Sequence, residues 1–217
     1  MNHALAQFNM IEQQIRPWDV LDITVLDTLA RIPRHHFVPD AYQAIAYADL
    51  EVPLADGQKM LEPKIAGRFL QALNLQTKDR VLEIGTGSGY LTALLASVSD
   101  SVTSVESSHQ LHTQAVNTLN NLNINNANLH HGDGSVSWND GKRYHAIVLT
   151  GAVAQVPQSY LDQLELGGRL VAIVGYAPSM QAILFTRIEH QQWSQEALFE
   201  TQHTYLVGAE PNVTFSL

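Results

Sequence analysis

Cysteine is absent from the 217-residue sequence. A disulfide framework, thiolate catalysis and a cysteine-ligated zinc site are therefore all excluded. Long apolar runs are also missing, because no stretch approaches the ~18 residues that a membrane-spanning helix needs. The N-terminus lacks the basic segment and apolar core of a secretory signal. These absences predict a cytoplasmic protein that does not associate with membranes.

Basic residues are few. The 12 Lys and Arg residues stand against 21 Asp and Glu residues, which gives a formal net charge of −9. Nucleic-acid phosphates attract basic surfaces, so this balance disfavours DNA and RNA as partners. The length of the chain suits one sizeable hydrophobic core.

A glycine-rich turn stands at the centre of the sequence. The apolar run Val81–Ile84 predicts a buried strand, and three glycines follow it within five residues, at positions 85, 87 and 89. The apolar residues after the turn recur at helical spacing, namely Leu91, Leu94, Leu95 and Val98. A strand, turn and helix in this order form a nucleotide-type binding unit, because the helix N-terminus presents free N–H groups to a ligand. A simple tight turn needs one glycine and leaves the others unexplained.

The spacing of the glycines distinguishes between ligands. The dinucleotide fingerprint places its third glycine where this chain has Tyr90. With Glu83 in the strand, the observed spacing resembles motif I of the class I S-adenosylmethionine methyltransferases. Glu106 ends the next apolar run, about twenty residues after Gly85, where a carboxylate can accept both ribose hydroxyls. We therefore predict S-adenosylmethionine as the cofactor; a nicotinamide or other nucleotide, and a site that has lost its ligand, are the alternatives.

The N-terminal part predicts two amphipathic helices. The residues expected on the inner face of the first helix, over residues 3–15, are Leu5, Phe8, Ile11 and Ile15. Asp22 is placed to cap a second helix, which Pro33 stops. Residues 34–39 are expected to be extended, and residues 47–63 to form an irregular, functional loop. These segments predict a helical cap packed over the cofactor side.

Helices and strands alternate after residue 63. The predicted strands are 81–84, 102–105, one ending at Leu129, 146–149, 170–174, and an edge hairpin of 182–188 and 197–207. The predicted helices contain Ile65 to Leu73, Leu91 to Val98, Leu111 to Leu119, and Tyr160 to Leu164, and Gly167-Gly168 forms the turn before strand 170–174. Alternation of this kind requires a parallel sheet with right-handed crossovers. We predict a doubly wound, three-layer α/β/α, Rossmann-like fold, with residues 1–62 as cap and substrate loop and residues 63–217 as the cofactor-binding core.

Motifs outside the glycine turn resemble those of the protein-L-isoaspartate O-methyltransferase family. Arg31–Pro39 is similar to that family's PRH-FVP stretch. Tyr47, Asp49, Pro53, Gly57, Gln58 and Pro63 fall without a gap on its Y-x-D…P…GQ-T-I-S-x-P segment. His131–Gly134, Thr150–Ala152 and Leu166–Val171 continue the similarity, which covers roughly residues 10 to 175.

The resemblance implies a seven-stranded fold and a reaction. It implies methyl transfer from S-adenosylmethionine to a carboxylate of damaged aspartyl residues, with isoaspartyl proteins or peptides as substrates. The implied cofactor-binding residues are Glu83, Gly85, Thr86, Gly87, Ser88, Gly89, Tyr90, Glu106, Asp133, Gly134 and Thr150. Glu83 would position the methionine amino group, or else cap the glycine turn. Asp133 would contact adenine, or else serve as an Asp-Gly turn residue.

The loop that carries substrate specificity departs from the family. Where the family has GQTIS, this chain has Gly57-Gln58-Lys59-Met60-Leu61, so Leu61 replaces the active-site serine and Lys59 replaces the threonine. Gln58 is expected near the reacting groups, or as a loop-stabilising amide. Lys59 is a candidate for recognising an anion, or is an ordinary exposed lysine. The family's C-terminal FVPL is also missing.

The loss of the serine leaves three functions open. A carboxylate acceptor is already ionised near pH 7, so its methylation needs no strong base, and a serine hydroxyl would orient it for ~1–3 kcal/mol. Loss of that hydroxyl is compatible with a weaker enzyme of the same kind. The alternatives are a methyltransferase for a different acceptor, and an S-adenosylmethionine-binding protein without turnover.

Two His-His pairs, at positions 35–36 and 130–131, raise the question of a metal. Neighbouring residues of a strand point to opposite faces, so one pair is poorly placed to hold one ion. We predict no metal site.

Overall fold

A computed structural model describes residues 2–211 of the chain. Its central sheet contains β3 (Arg80–Ile84), β4 (Ser101–Glu106), β5 (Ala127–His131), β6 (Tyr144–Leu149), β7 (Leu164–Tyr176), β8 (Ser179–Glu189) and β9 (Gln192–Thr201). The order across the sheet is β5-β4-β3-β6-β7-β8-β9. Strands β3 to β7 run parallel, whereas β8 and β9 are antiparallel. The predicted doubly wound, seven-stranded fold is confirmed.

Helices cover both faces of this sheet, which explains why almost every residue of its middle strands β3, β4 and β6 is buried. The helices are α1 (His3–Met10), α2 (Ile23–Arg31), α3 (Pro63–Leu73), α4 (Tyr90–Ala96), α5 (His109–Asn121) and α6 (Gln158–Asp162). In β3, Val81 packs into the core that α3 and α4 share with the N-terminal segment. Leu82 and Ile84 point to the opposite side, where they pack with Tyr160 of α6. Successive residues of one strand thus serve two separate layers.

The N-terminal segment contributes to the same core as the sheet. Met10, Ile15 and Leu29 are fully buried and belong to one apolar cluster with Phe69 and Val81. The division of the chain at residue 62 stays a prediction, and the last residues of its second part, 212–217, lie outside the described residues.

The buried face of the first helix differs from the predicted one. α1 is followed by a π-helical turn, Ile11–Ile15, and a 3₁₀ turn, Arg16–Trp18. Ile11 and Ile15 are buried as expected, but Leu5 and Phe8 are 55% and 59% exposed. The wider π turn rotates the later side chains relative to the earlier ones, so one regular helical stripe does not extend through the whole segment.

The region after α1 confirms one prediction and overturns another. The Asp22 side chain accepts the Val25 N–H at 3.2 Å and caps α2, as predicted. Residues 34–37, expected to be extended, instead form a 3₁₀ turn that buries Arg34 and Phe37. This turn directs the Arg34 side chain inward, where its Nη2 donates to the Leu61 carbonyl at 2.8 Å.

The loop over residues 47–63 is largely irregular, but it contains a small hairpin. Strands β1 (Val52–Pro53) and β2 (Lys59–Met60) pair with each other in antiparallel orientation. A 3₁₀ turn, Ala55–Gly57, joins them. The hairpin fixes which side chains of the loop face the glycine turn.

Several predicted element ends are wrong. β5 continues beyond Leu129 to His131, Val98 lies past the end of α4, and β9 ends at Thr201 rather than at residue 207. Leu164 begins β7 instead of belonging to α6, and β7 passes through Gly167-Gly168 instead of starting after them. A bulge explains the last error, because Tyr144 pairs with Leu164 whereas Ala146 pairs with Arg169. The glycines absorb the extra residues, with Gly167 at φ +78°.

Candidate active site

The carboxyl ends of β3, β4 and β6 meet at one edge of the sheet, and the glycine turn lies there. Gly85 has φ +96°, and a Cβ at this position would lie 2.2 Å from Thr150 Oγ1. Thr150 Oγ1 in turn donates to the Gly85 carbonyl at 2.7 Å. Gly87 and Gly89 also have positive φ, at +55° and +81°. The backbone conformation and close packing therefore account for the glycines.

Glu106, at the end of β4, holds the glycine turn. Its Oε2 accepts the Gly87 N–H at 2.7 Å, and its Oε1 accepts the Ser108 N–H at 2.9 Å. The side chain is nearly buried, yet it lines a cavity together with Gly85 and Thr150. A carboxylate in this position offers acceptor oxygens to the hydroxyls of a bound ligand.

Glu83 lies beneath the turn and is completely buried. Its Oε2 accepts hydrogen bonds from Thr92 Oγ1 at 2.5 Å and from Ser104 Oγ at 2.6 Å. Ser104 Oγ lies 2.6 Å from Thr86 Oγ1, so the carboxyl group is linked to the turn itself. Burial raises the pKa of Glu83 to about 8, because the charged form is desolvated. At neutral pH the group is therefore mostly protonated.

Two adjoining cavities border the glycine turn. Both are lined by Leu54, Lys59, Gly85, Gly87 and Thr150. The first also includes Arg34, Met60, Leu61, Ala66, Thr86, Ser88, Tyr90 and Leu91. The second includes Gln58, Glu106, Ser107, Leu111, Gly151, His203, Leu206 and Val207. The structure thus brings Gln58, Lys59 and Leu61, the predicted catalytic positions, together with the glycine turn.

Leu61 supplies an apolar wall where the family resemblance places a hydroxyl. Its side chain is buried and lines the first cavity. Arg34 lies behind it, 1% exposed, with its Cζ 4.9 Å from the centre of the Tyr90 ring. Burial lowers the pKa of Arg34 to about 10, because desolvation of the guanidinium outweighs the raising effect of Tyr90 and nearby carboxylates. The guanidinium stays charged at neutral pH.

Two residues of the site were not identified from the sequence. His203 Nδ1 lies 2.5 Å from Glu51 Oε1, and Lys59 Nζ lies 2.7 Å from Glu51 Oε2. The hydrogen bond to His203 is the main cause that lowers the pKa of Glu51 to about 2, and the Lys59 contact adds to it. Glu51 and His203 are 152 positions apart, so no local pattern links them. In the sequence, the missing C-terminal family motif was the one sign that this part of the site differs from the family.

Asp133 and Gly134 lie apart from the two cavities. Asp133 is exposed, and its Oδ1 accepts the Ser135 N–H at 2.8 Å, as in a turn that solvates its own backbone. The Tyr160 hydroxyl donates to the Gly134 carbonyl. A Cβ at position 134 would lie 2.9 Å from Ile84 Cγ2, so glycine is needed there for packing.

Neither the histidine pairs nor the helices indicate a metal or a bilayer. Within residues 2–211, no three or more His, Asp or Glu side chains are grouped as metal ligands. No helix in that part of the chain combines the length and apolar character that a membrane crossing requires.

The fold and the glycine turn define a class I S-adenosylmethionine-dependent methyltransferase. The model of the protein-L-isoaspartate(D-aspartate) O-methyltransferase family matches residues 6–210. The chain belongs to this family, and the resemblance seen in its motifs is confirmed.

Individual relatives support the same placement. A protein-L-isoaspartate O-methyltransferase of Herpetosiphon aurantiacus is 38% identical over 200 residues, covering 92% of this chain and 89% of that protein. One from Syntrophotalea carbinolica is 35% identical over 208 residues, covering 96% of each. A solved protein-L-isoaspartate O-methyltransferase superposes with a TM-score of 0.80 at 25% identity; the match covers 92% of this chain and 65% of that one. A beta-aspartate methyltransferase structure from Plasmodium falciparum, in complex with S-adenosyl-L-homocysteine, shares the fold with a TM-score of 0.77 at 20% identity, covering 95% and 98%.

Proposed function

We propose that this protein transfers a methyl group from S-adenosylmethionine to the carboxylate of isoaspartyl residues in proteins or peptides. The observation that carries the proposal is the position of the substrate loop. Gln58, Lys59 and Leu61 lie on the segment that resembles the family's substrate loop, and they line the same cavities as Gly85. A methyl donor at the glycine turn and an acceptor at this loop would therefore be neighbours.

The residues around the glycine turn suit S-adenosylmethionine. Gly85 and Gly87 are partly exposed and line both cavities, so a ligand can approach the backbone of the turn closely. Glu106 is the candidate partner of the ribose hydroxyls, and Thr150, which is bonded to the Gly85 carbonyl, lines the same cavity. For Glu83, capping the turn through Ser104 fits its contacts better than a direct bond to the methionine amino group. For Asp133, the turn role likewise fits better than an adenine contact.

The chain's own contribution to the reaction is alignment and exclusion of water. S-adenosylmethionine supplies an activated methyl group on a sulfonium, and an ionised carboxylate attacks without a base. Leu54, Met60 and Leu61 provide the apolar lining that keeps water from the reacting groups. Lys59 lines both cavities and is the candidate group for orienting the acceptor carboxylate in place of the lost serine.

Incubation with S-adenosylmethionine labelled in the methyl group and an isoaspartyl peptide tests the proposal. We expect a methyl ester that releases labelled methanol in mild alkali. Gly85→Asp serves as the inactive control, because the new side chain collides with Thr150. Ester at the level of this control would contradict the proposed function. If the protein then bound S-adenosylhomocysteine in calorimetry, the function without turnover would replace it.

A further inference from the structure

Lys59, Glu51 and His203 form a charged cluster beside the cofactor cleft, which we call the Glu51 cluster. The carboxylate lies in the middle, 2.7 Å from Lys59 Nζ and 2.5 Å from His203 Nδ1. Exposure falls along the cluster, from 44% for the Lys59 side chain through 22% for Glu51 to 5% for His203. The imidazole is thus the buried end of the cluster.

Glu51 and Lys59 lie on one segment and His203 on another, and main-chain contacts hold the two segments independently. Glu51 precedes β1, and Lys59 lies in β2, so the hairpin presents both side chains. The segment containing His203 is fixed to the turn after β6, where the Ala152 N–H donates to the Thr204 carbonyl at 2.9 Å. The Leu206 N–H donates back to the Ala152 carbonyl at 2.9 Å. His203 therefore reaches the carboxyl end of the sheet through the main chain, without depending on Glu51.

The contacts determine which imidazole nitrogen is available. An ionised carboxylate can only accept hydrogen bonds, so Glu51 Oε1 takes its bond from the Nδ1–H of His203. In the neutral ring, Nε2 then carries the lone pair, and it has no hydrogen-bond partner within residues 2–211. His203 lines the cavity that also contains Gln58, Gly85 and Thr150. A carboxylate that fixes the tautomer of a histidine at a reaction cavity is the arrangement of a general base.

Methylation of a carboxylate makes no use of such a base, because that acceptor has already lost its proton at neutral pH. We propose that Glu51 and His203 form a base site that extends methyl transfer to an acceptor oxygen bearing a proton, an alcohol or phenol hydroxyl. The acceptor O–H bond breaks and its proton passes to His203 Nε2. The oxygen electron pair forms the new O–CH₃ bond, and the electron pair of the broken S–CH₃ bond stays on sulfur. The inference shares the cofactor cleft of the proposed function but not its acceptor.

The competing explanation for the Glu51 cluster is purely structural. In that case it is an ion-paired contact, which we call a strap, that ties the loop of residues 47–63 to the C-terminal segment containing His203. A strap needs the contacts of Glu51 but has no use for a free Nε2. The two explanations therefore differ in what the ring's second nitrogen does, and in which reaction product is lost when the ring is removed.

The tautomer is measured first, on cofactor-free protein labelled with ¹⁵N in histidine. The His203 signals are assigned by their loss in His203→Asn. We expect the Nδ1–H form to dominate in the neutral ring, and Glu51→Gln to shift the population toward Nε2–H. Dominance of Nε2–H in the unaltered protein, or no response to Glu51→Gln, would overturn the base assignment whether or not any methyl transfer is detected.

Acceptor choice is measured with matched peptides. They carry isoaspartate, serine or tyrosine at one position, with catechol as a small phenol. A methyl ester is released by alkali, whereas a methyl ether is stable, so one labelled assay separates the two products. We expect alkali-stable label on at least one hydroxyl probe. Its absence from all three overturns the inference, while absence of alkali-labile label from the isoaspartyl peptide bears only on the proposed function.

Variants separate the base from the strap. His203→Asn keeps an N–H donor toward Glu51 but removes the basic nitrogen. We expect the ratio of ether to ester to fall about 100-fold or more, in the range that a general base supplies. A strap role would lower both products together and leave this ratio unchanged, which contradicts the inference. His190→Asn, in the exposed turn between β8 and β9, is the matched control and should behave like the unaltered protein.

Discussion

A single residue, Glu83, makes the stability of this protein depend on pH. Its carboxyl group is completely buried and has no cationic partner among its hydrogen bonds. In the folded state its pKa is about 8, against an ordinary value of 4.5. Between these values the folded chain holds a proton that the unfolded chain releases. The free energy of unfolding therefore falls as the pH rises through this window.

Replacement of this carboxyl group should remove that dependence. We expect the free energy of unfolding to drop by on the order of 2–3 kcal/mol more between pH 5 and 7 in the unaltered protein than in Glu83→Gln. Urea titrations at several pH values measure the difference. Glu196→Gln, exposed on β9, is the control and should keep the slope of the unaltered protein. Equal slopes for Glu83→Gln and the unaltered protein would show that the buried carboxyl is not protonated.

At position 85, both the backbone conformation and the lack of space require glycine. Gly85→Ala forces a Cβ to within 2.2 Å of Thr150 Oγ1 in addition to the strain of a positive φ. Gly141 has a similar φ of +76°, but a Cβ there meets nothing within 4 Å. Gly141→Ala should therefore cost only the ~1–2 kcal/mol of left-handed strain and bind S-adenosylhomocysteine normally. Gly85→Ala should lose detectable binding in calorimetry, and retention of full affinity would exclude close approach of the ligand at this turn.

Strands, helix ends and turns could be predicted from the sequence where a local pattern of residues defines them. Val81–Ile84 and Ala146–Leu149 were recognised as strands because helices cover both faces and every position except Glu83 is apolar. The cap of α2 was recognised from Asp22, since capping is a contact within one turn. The glycine turn and Glu106 were placed for the same reason, because strand and turn spacing brings them together.

Elements were mispredicted where distant contacts override the local pattern. Residues 34–37 turn instead of extending because Arg34 bonds to the Leu61 carbonyl, 27 positions away. β7 starts early because a bulge against β6 admits Gly167-Gly168. No local sequence pattern links Glu51 with His203, so their contact in the Glu51 cluster was visible only in the folded chain.

The contribution of the N-terminal cap of α2 to stability can be tested by substitution. The Asp22 side chain satisfies the Val25 N–H, one of the free donors at the start of the helix. Asp22→Ala should lower the free energy of unfolding by about 1 kcal/mol in urea titrations. Asp27→Ala changes an exposed acid on the same helix, so an effect within about 0.5 kcal/mol is expected. Equal effects of the two substitutions would show that the loss of charge, rather than the cap, matters.

The whole molecule couples cofactor binding to stability, because cap, sheet and cleft share one core. A ligand that binds the folded state alone raises the free energy of unfolding by about 2.7 kcal/mol at a hundredfold excess over its Kd. We expect S-adenosylhomocysteine to do so, with the increase followed by thermal unfolding at several ligand concentrations. Glu106→Gln should need more ligand for the same increase, because the amide is a poorer acceptor for hydroxyls. An unchanged unfolding temperature at saturating ligand would contradict the coupling.

The wall that Leu206 adds to the cleft has a consequence for synthesis on the ribosome. Its backbone bonds to Ala152, and its side chain lies 3.2 Å from the position of a Cβ on Gly85. Translation proceeds from the N-terminus, so the five parallel strands emerge well before this wall. A nascent chain can assemble the parallel part of its sheet early, yet the cleft beside Gly85 is complete only once Leu206 has left the exit tunnel.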